Sequence, residues 1–209
     1  MADLEDFGMG AMRAVCKLVL ASILAVSLAG CLPVTSQTPV GSTAGLGTDR
    51  SLIGVWRGKM LDNKNASYIT FLAGKNDAKI TAVAVTPTAG DESGGYGGFE
   101  ISTSVLAGNH YMNVKEIHEG KISEDAQQNA EKSFPVLYRF HGKNRLSLLL
   151  LNEERTAAAI RAGKIKGTVE EGTYGDVILT ADAAELDAFF KSQEAVELFD
   201  VLAELTRVE

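Results

Sequence analysis

"FEISTSVL", residues Phe99–Leu106, decides the class of fold because its side chains alternate along the chain. Its polar positions are Glu100, Ser102 and Ser104, and the positions between them form a second, more apolar face: Phe99, Ile101, Thr103 and Val105. A period of two residues is typical of a β-strand with one buried face. The segment "VLYRFH", Val136–His141, repeats the pattern and predicts a second strand of the same kind.

Nine short segments of this type recur between turn signals and predict nine strands. They are Leu52–Lys59, Ser67–Leu72, Lys79–Thr86, Phe99–Leu106, His110–Ile117, Val136–His141, Arg145–Leu151, Lys164–Glu170 and Asp176–Ala181. Many short strands at close spacing favour an antiparallel sheet that is closed into a barrel or packed as a sandwich. We therefore predict a single, mainly β globular domain over residues 51–209.

Two helical segments are predicted, one between these strands and one after them. An inserted helix is predicted at Glu153–Ala162, with Asn152 as its N-cap and Gly163 as its stop. A C-terminal helical segment begins at Asp182, where Glu185 completes a capping box. After a break near Ser192, a further helical face is predicted to continue to the C-terminus and cover the sheet; its residues are Val196, Phe199, Leu202 and Leu205.

The first predicted strand opens with "LIGVWRG", Leu52–Gly58, which resembles the Gly-x-Trp opening of lipocalin-like, or calycin, barrels. The resemblance implies that Trp56 closes one end of a barrel beneath a basic side chain, for which Arg139 and Arg145 are candidates. It also implies an interior that could hold a hydrophobic small molecule. The candidate cavity residues are Trp56, Tyr68, Phe71, Tyr111, Met112, Tyr138 and Phe140. The alternative is that these side chains fill a solid core.

The N-terminal segment has the order of charges and apolar residues that is typical of a signal peptide. Arg13 and Lys17 precede an apolar run of 11 residues, Leu18–Leu28. This run is too short to span a bilayer as a helix, which takes about 20 residues. We predict a signal peptide over residues 1–30. Because acidic residues precede Arg13, we expect translation to start at Met12 rather than at Met1.

The signal ends in Leu28–Cys31, "LAGC", which resembles the lipobox of bacterial lipoproteins. The resemblance implies cleavage before Cys31, a diacylglycerol on its thiol and an acyl chain such as palmitate on its amino group, and several chains give stable membrane anchoring. Leu32 occupies the position directly after Cys31, where an Asp would mark retention in the inner membrane. The resemblance therefore favours the outer membrane, with the domain in the periplasm. Residues 32–50 are rich in Ser, Thr, Gly and Pro and are predicted to form a flexible tether.

Composition and motif spacing argue against several function classes. The 209-residue chain has a formal net charge of −7, which does not suit a nucleic-acid binder. Both cysteines, Cys16 and Cys31, precede the predicted domain, so that domain can form neither a disulfide nor a cysteine metal site.

No enzymatic motif can be completed from the sequence. The histidines His110, His118 and His141 match no zinc signature. "GDESGG", Gly90–Gly95, resembles the nucleophile motif of chymotrypsin-like proteases, but no histidine precedes Ser93 in the chain. We predict no catalytic residue, metal or cofactor. The prediction is a lipid-anchored envelope protein that binds another envelope protein or supports assembly; the alternative is a calycin-like carrier of a hydrophobic ligand.

Overall fold

The computed structural model describes residues 34–60, 66–74, 79–87, 95–117, 132–170 and 175–208. Within this part of the chain, β-strands predominate. In chain order the elements are β1 (Thr35–Ser36), β2 (Gly54–Met60), β3 (Ala66–Ala73), β4 (Ile80–Thr86), β5 (Gly95–Leu106), β6 (Asn109–Ile117), β7 (Phe134–Phe140), β8 (Arg145–Leu151), α1 (Glu153–Arg161), β9 (Gly167–Val169), β10 (Val177–Leu179), α2 (Ala183–Phe190), α3 (Gln193–Val196) and β11 (Phe199–Arg207).

Strands β2 to β8 and β11 form a closed, eight-stranded antiparallel barrel. The strands β2 to β8 pair in chain order, and β11 pairs with both β8 and β2 and so completes the wall. The predicted mainly β class is confirmed, and of the two predicted architectures the barrel is the one observed. The remaining strands, β1, β10 and β9, form a separate three-stranded sheet. The last two predicted strands therefore belong to this small sheet and not to the barrel wall.

The barrel has two ends that differ in how they are built. We call one the Met60 end: β2 and β6 finish there, and β3 and β7 begin there. We call the other the Trp56 end, which carries the tight turn at residues 107–108 and the turn at residues 141–144. A short 3₁₀ turn, Arg50–Leu52, lies immediately before β2 at the Trp56 end.

Two apolar cores share the same strands. The inner core fills the barrel and includes Trp56, Phe71, Met112, Tyr138 and Leu205. The outer core lies between the outside of β6, β7, β8 and β11 and the layer of helices and small-sheet strands; its members include Tyr111, Leu137, Leu149, Phe190 and Phe199. Alternate residues of a strand point to opposite faces, so neighbours such as Tyr111 and Met112 belong to different cores.

The helix caps form as the sequence predicts. Asn152 accepts a hydrogen bond from the Arg155 N–H and begins α1. Asp182 and Glu185 form the predicted capping box at the start of α2. Ser192, near which the sequence predicts only a break, caps α3 with its side chain. These local signals need only neighbouring residues to be satisfied, which is why they can be read directly from the sequence.

The prediction of a helix at the C-terminus is wrong, because residues 199–207 form strand β11. The apolar residues there fit a helical period and also a period of two, so local pattern does not separate the alternatives. The unpaired edges of β8 and β2 decide the outcome by offering backbone partners on both sides. A bulge between Val201 and Ala203 then lets Phe199 face the outer core and Leu205 the inner core.

The prediction of a flexible tether over residues 32–50 is wrong for residues 34–50. Val34 and Val40 are buried in the outer core, and β1 pairs with β10. The Asn113 side chain accepts from the Val40 N–H at 2.6 Å and donates to the Val40 carbonyl at 2.9 Å. Composition indicated a loop, but a loop can pack when side chains of the domain satisfy its backbone groups.

A buried carboxylate fixes the centre of this N-terminal segment. Asp187 on α2 accepts from the Gly41 N–H at 2.6 Å and from the Thr43 N–H at 2.9 Å. Gly41 has φ of +89°, and a Cβ atom there would lie 2.2 Å from the Ser104 Cβ. Glycine is therefore required for the segment to approach β5 so closely. The segment is part of the fold.

Candidate functional site

The Trp56 end of the barrel is closed by an arginine stacked on the tryptophan. The Arg207 guanidinium carbon lies 4.2 Å from the centroid of the Trp56 ring. Arg207 also donates to the carbonyls of Ile53 at 2.7 Å and Ser51 at 2.5 Å. The Trp56 Nε1–H donates to the Leu52 carbonyl at 2.7 Å. The cation–π contact and these bonds join the last strand, the first strand and the 3₁₀ turn.

The basic partner of Trp56 is therefore Arg207, and the candidates Arg139 and Arg145 were wrong. Register explains the choice: Arg207 pairs with Trp56 across the β11–β2 ladder and shares its face. Gly54 leaves room for the guanidinium, since its φ is +136° and a Cβ atom there would lie 2.5 Å from Arg207 Nη1. This explains physically why a glycine stands two residues before the tryptophan.

Beside Trp56 the barrel interior is solid. Trp56 is 0 % exposed, Tyr138 1 %, and Phe71 and Met112 2 % each. Side chains with so little exposure have no space for a water molecule against them. Phe140 lies among them, with its ring centroid 6.1 Å from that of Trp56 and 5.8 Å from that of Tyr138. Five of the seven predicted cavity residues thus face the interior and pack against one another, and two of them, Tyr138 and Phe140, also line the pocket described below.

The other two predicted cavity residues, Tyr68 and Tyr111, do not point into the barrel. Tyr68 lies on the outer surface with the Arg57 guanidinium 5.7 Å from its ring. Tyr111 packs in the outer core, where its hydroxyl donates to the Phe190 carbonyl at 2.9 Å. Burial raises the pKa of the Tyr111 hydroxyl to about 12, and the nearby Arg139 charge partly opposes that rise. Both tyrosines occupy strand positions whose side chains point away from the barrel interior.

Partly buried apolar residues pack against the inner core at both ends of the barrel. Those towards the Met60 end are Met60, Ala84, Phe99, Phe134, Leu150 and Leu202, and those at the Trp56 end are Ile53 and Phe140. Phe99 and Phe134 pack edge to face with ring centroids 6.3 Å apart. The polar side chains at described inward positions of the Met60 end include the Ser67 and Thr86 hydroxyls, 2.8 Å apart, and the exposed Glu116, which pairs with Phe99 across β5 and β6. Apart from Ser67, Thr86 and Glu116, the inward positions named here are apolar, as a site for a hydrophobic ligand requires. The residues that connect the strands at this end, 61–65, 88–94 and 118–131, lie outside the described part of the chain.

A pocket of about 530 Å³, lined by both polar and apolar groups, opens near the Trp56 end between the N-terminal segment and strands β5 to β7. Within it the Tyr138 hydroxyl donates to Asp49 Oδ2 at 2.9 Å, and burial and the Asp49 charge raise the Tyr138 pKa well above its usual range. His110 Nδ1 lies 3.9 Å from the same oxygen. Asp49 also accepts from the Ser51 N–H at 2.9 Å. The carboxylate therefore fixes the 3₁₀ turn to the barrel wall.

Among the described residues, none on strands β2, β3 and β4 belongs to the outer core. The outward side chains of β2, β3 and β4 include a group of exposed apolar residues, which we call the bare face: Val55, Tyr68, Leu72, Val83 and Val85. They are neighbours across the sheet, because Tyr68 pairs with Val85 and Thr70 pairs with both Val55 and Val83. Contiguous exposed apolar side chains on a folded domain mark surfaces that associate with other molecules.

Several predicted features lie outside the described residues. These are the signal peptide of residues 1–30, the lipobox with Cys31, and the positions Ser93 and His118. Among the residues that are described, none of the helices is both long and apolar enough to cross a membrane. The same described ranges contain no cluster of three or more residues able to hold a metal ion.

Comparison with known proteins gives no match to a family model, to a curated protein or to a solved structure.

Proposed function

We propose that this protein is a lipoprotein anchored through Cys31, and that its barrel has a non-enzymatic role in binding or assembling another envelope protein. The lipobox Leu28–Cys31 supports the anchor. The observation that carries the binding role is the bare face. The opposite side of the barrel buries its outward apolar residues beneath helices, whereas Val83 and Val85 stay exposed. A protein partner would cover the bare face in the same way.

The anchor is tested by mass spectrometry of the mature N-terminus, purified from membranes of an expressing bacterium. The expected first residue is Cys31 carrying a diacylglycerol and an acyl chain. Cys31→Ser should give an unacylated protein that is released from membranes. Cys16→Ser is the matched control, since it removes the chain's other cysteine within the predicted signal and should leave acylation intact. An unmodified Cys31 in the native protein would overturn the proposal.

The outer-membrane location is tested by separating inner and outer membranes on a density gradient. We expect the protein in the outer-membrane fraction, and we expect Leu32→Asp to move it to the inner membrane. Leu32→Asn, which has a similar size and no charge, is the control. The wild-type protein in the inner-membrane fraction would contradict the assignment.

The bare face is tested with a photo-crosslinking amino acid placed at Val83 in cells. We expect one adduct of defined mass, lost when Val85→Glu puts a charge on the same face. A crosslinker at Ala158, which is exposed on α1, is the control and should give no such adduct. Equal crosslinking from Val83 and Ala158 would count against the bare face as the binding surface.

The second candidate function is a calycin-like carrier of a hydrophobic small molecule. Two observations favour it: the Gly54–Trp56 opening closed by Arg207, and the partly buried apolar residues against the inner core, which include Phe99 and Phe134. Displacement of a fluorescent fatty-acid probe would test it. Phe134→Asp, at a partly buried position of the inner core, should abolish probe binding, whereas Leu72→Asp, on the exposed outer face of β3, should not. Failure of the wild-type protein to bind the probe would remove this candidate.

A further inference from the structure

The pocket of about 530 Å³ lies in the mouth of the barrel at the Trp56 end, and we call it the mouth pocket. Part of its lining is a row of inward positions, because Val105 pairs with His110, and His110 with Tyr138, across β5, β6 and β7. The segment 44–51 supplies most of the remaining lining. Sites for small molecules usually have volumes of roughly 300–1,000 Å³, so the mouth pocket is large enough to hold one.

Asp49 gives the mouth pocket its charge. Among the described residues that line the pocket, Asp49 is the only acidic one, and none is a lysine or an arginine. The cation Arg207 also lies at this end of the barrel, but its guanidinium is held on the Trp56 ring and on two backbone carbonyls. The lining therefore presents a negative charge, which favours a cationic ligand over an anionic one.

The Asp49 carboxylate has acceptor positions left for a ligand. Its Oδ1 atom accepts from the Ser51 N–H and its Oδ2 atom accepts from the Tyr138 hydroxyl, each at 2.9 Å. An ionised carboxylate offers about four acceptor positions, so these two bonds leave others open. The Asp49 side chain is 21 % exposed, so the carboxylate can be reached although it is partly withdrawn from water. An ion pair formed at such a position is stronger than one in bulk water.

Aromatic and aliphatic side chains surround this carboxylate. His110 Nδ1 lies 3.9 Å from Asp49 Oδ2, which is too far for a hydrogen bond. The His110 ring centroid is 5.3 Å from that of Tyr138, which is 5.8 Å from that of Phe140. Val105 is exposed beside them. A cation placed near aromatic rings is attracted by their electron-rich faces, so the rings and the carboxylate favour the same kind of ligand.

We propose that the mouth pocket binds a small organic cation, with a protonated amine on Asp49 and an apolar group against His110, Phe140 and Val105. The carboxylate recognises the ammonium group by its charge and by hydrogen bonds. The rings and Val105 select a compound whose carbon skeleton covers them. The proposal goes beyond the proposed function, because it involves neither the anchor nor the bare face. The site also lies at the barrel end that the calycin resemblance implies is closed.

The proposal is tested by titrating the full-length protein in detergent micelles with benzylamine, which is protonated near neutral pH. Nuclear magnetic resonance of the backbone amides should show shifts at Asp49, Ser51 and Val105 and none at Leu72 on the bare face. Benzyl alcohol has a similar shape and no charge. It should bind at least about tenfold more weakly, because the hydrogen bond between two charged groups is lost. Equal affinities for the two compounds, or equal shifts at Leu72 and in the pocket, would overturn the proposal.

Two variants test the residues involved. In Asp49→Asn the amide oxygen can still accept from the Ser51 N–H and the amide NH₂ can donate to the Tyr138 oxygen, so the 3₁₀ turn should persist. Benzylamine should then bind this variant only as weakly as benzyl alcohol binds the wild-type protein. Val105→Lys places a competing ammonium group in the pocket and should also weaken benzylamine binding at least about tenfold.

Leu72→Lys is the matched control, because it also replaces an exposed apolar residue with lysine but lies on the outer face of β3. It should bind benzylamine as the wild-type protein does. Val105→Lys still decides the question if Asp49→Asn does not fold, since Val105 is exposed and makes no bond to the turn. Unchanged benzylamine affinity in either folded pocket variant would contradict the proposal.

Discussion

Arg207 is the single residue that ties together three parts of the Trp56 end. It covers the Trp56 ring and donates to two carbonyls of the 3₁₀ turn and its cap. Arg207→Ala would leave the carbonyls of Ser51 and Ile53 without these donors and uncover the ring. Hydrogen bonds from a charged group are typically worth about 1.5–3 kcal/mol each.

We therefore expect Arg207→Ala to lower the free energy of unfolding by about 3 kcal/mol. Arg207→Lys keeps the charge over the ring but cannot serve both carbonyls in a fixed fork, so its loss should be smaller, about 1–2 kcal/mol. Urea unfolding followed by the fluorescence of Trp56, the chain's one tryptophan, measures both values. Equal losses for the two variants would show that the fork geometry is unimportant.

Tyr111 gives the domain a specific dependence on alkaline pH. Its pKa is raised from 10.0 to about 12 in the folded protein, mainly by burial. Below pH 10 both states keep the phenolic proton. Between about pH 10 and about pH 12 the unfolded chain loses this proton while the folded protein retains it, so the free energy of unfolding falls as the pH rises.

Replacing the phenol should remove this contribution. We expect Tyr111→Phe to be less stable than wild type near neutral pH by about 1 kcal/mol, because the bond to the Phe190 carbonyl is lost. Its stability should also decline less steeply above pH 10. Denaturant titrations at several pH values give both quantities. Tyr96→Phe, at an exposed position, is the control and should follow the wild-type curve. Parallel curves for Tyr111→Phe and wild type would contradict the assignment.

At the scale of elements, the N-terminal segment depends on Asp187 of α2. This buried carboxylate accepts bonds from Gly41 and from both the N–H and the hydroxyl of Thr43. Asp187→Asn keeps the size of the side chain but replaces one accepting carboxylate oxygen with an NH₂ group. That donor would then face a donor of the N-terminal segment. We expect a loss of about 3 kcal/mol and faster hydrogen exchange at the Gly41 and Thr43 amides.

The control for this prediction is Asp200→Asn. Asp200 also makes side-chain hydrogen bonds, to Asn152 and Arg155, but it lies on the surface. A surface ion pair contributes up to about 1 kcal/mol, so this variant should change stability little and leave the exchange of residues 41 and 43 as in wild type. Unchanged exchange in Asp187→Asn would mean that the segment is fixed by its apolar contacts alone.

At the scale of the whole molecule, the two cores share the strands β6, β7, β8 and β11. Neighbouring residues of one strand, such as Leu137 and Tyr138, belong to the outer and the inner core respectively. Damage to one core should therefore destabilise the strands that carry the other. We expect the described domain to unfold as one cooperative unit.

Leu137→Ala tests this coupling from the outer side. Leu137 is 0 % exposed, and truncation of a buried leucine costs about 2–5 kcal/mol. The transitions measured by Trp56 fluorescence, which reports the inner core, and by far-UV circular dichroism should move together. Leu72→Ala, with the same chemical change at a 48 % exposed position, should have a small effect. A Trp56 transition that stays in place while the dichroism signal shifts would contradict a single unit.

Much of the fold can be predicted from local sequence. The alternation in Phe99–Leu106 and the capping residues Asn152, Asp182 and Glu185 act through neighbours in the chain, so strands and helix starts are readable without the tertiary structure. The candidate cavity was less predictable. Alternation along a strand assigns Tyr138 and Tyr111 to one face or the other of their strands. Which face is enclosed depends on how the sheet curves and on where the helices pack.

The sequence by itself determined the mainly β character, the position of Trp56 on the first barrel strand and the helix caps, because each depends on a short-range pattern. Only the tertiary structure decided that residues 199–207 form a strand, that Arg207 covers Trp56 and that residues 34–50 are packed. Each of these outcomes needs a partner that is remote in the chain: two open strand edges, a register across β11 and β2, and the buried carboxylate of Asp187. The local sequence of these segments is compatible with more than one conformation. Hydrogen bonds and contacts to residues remote in the chain select one of them.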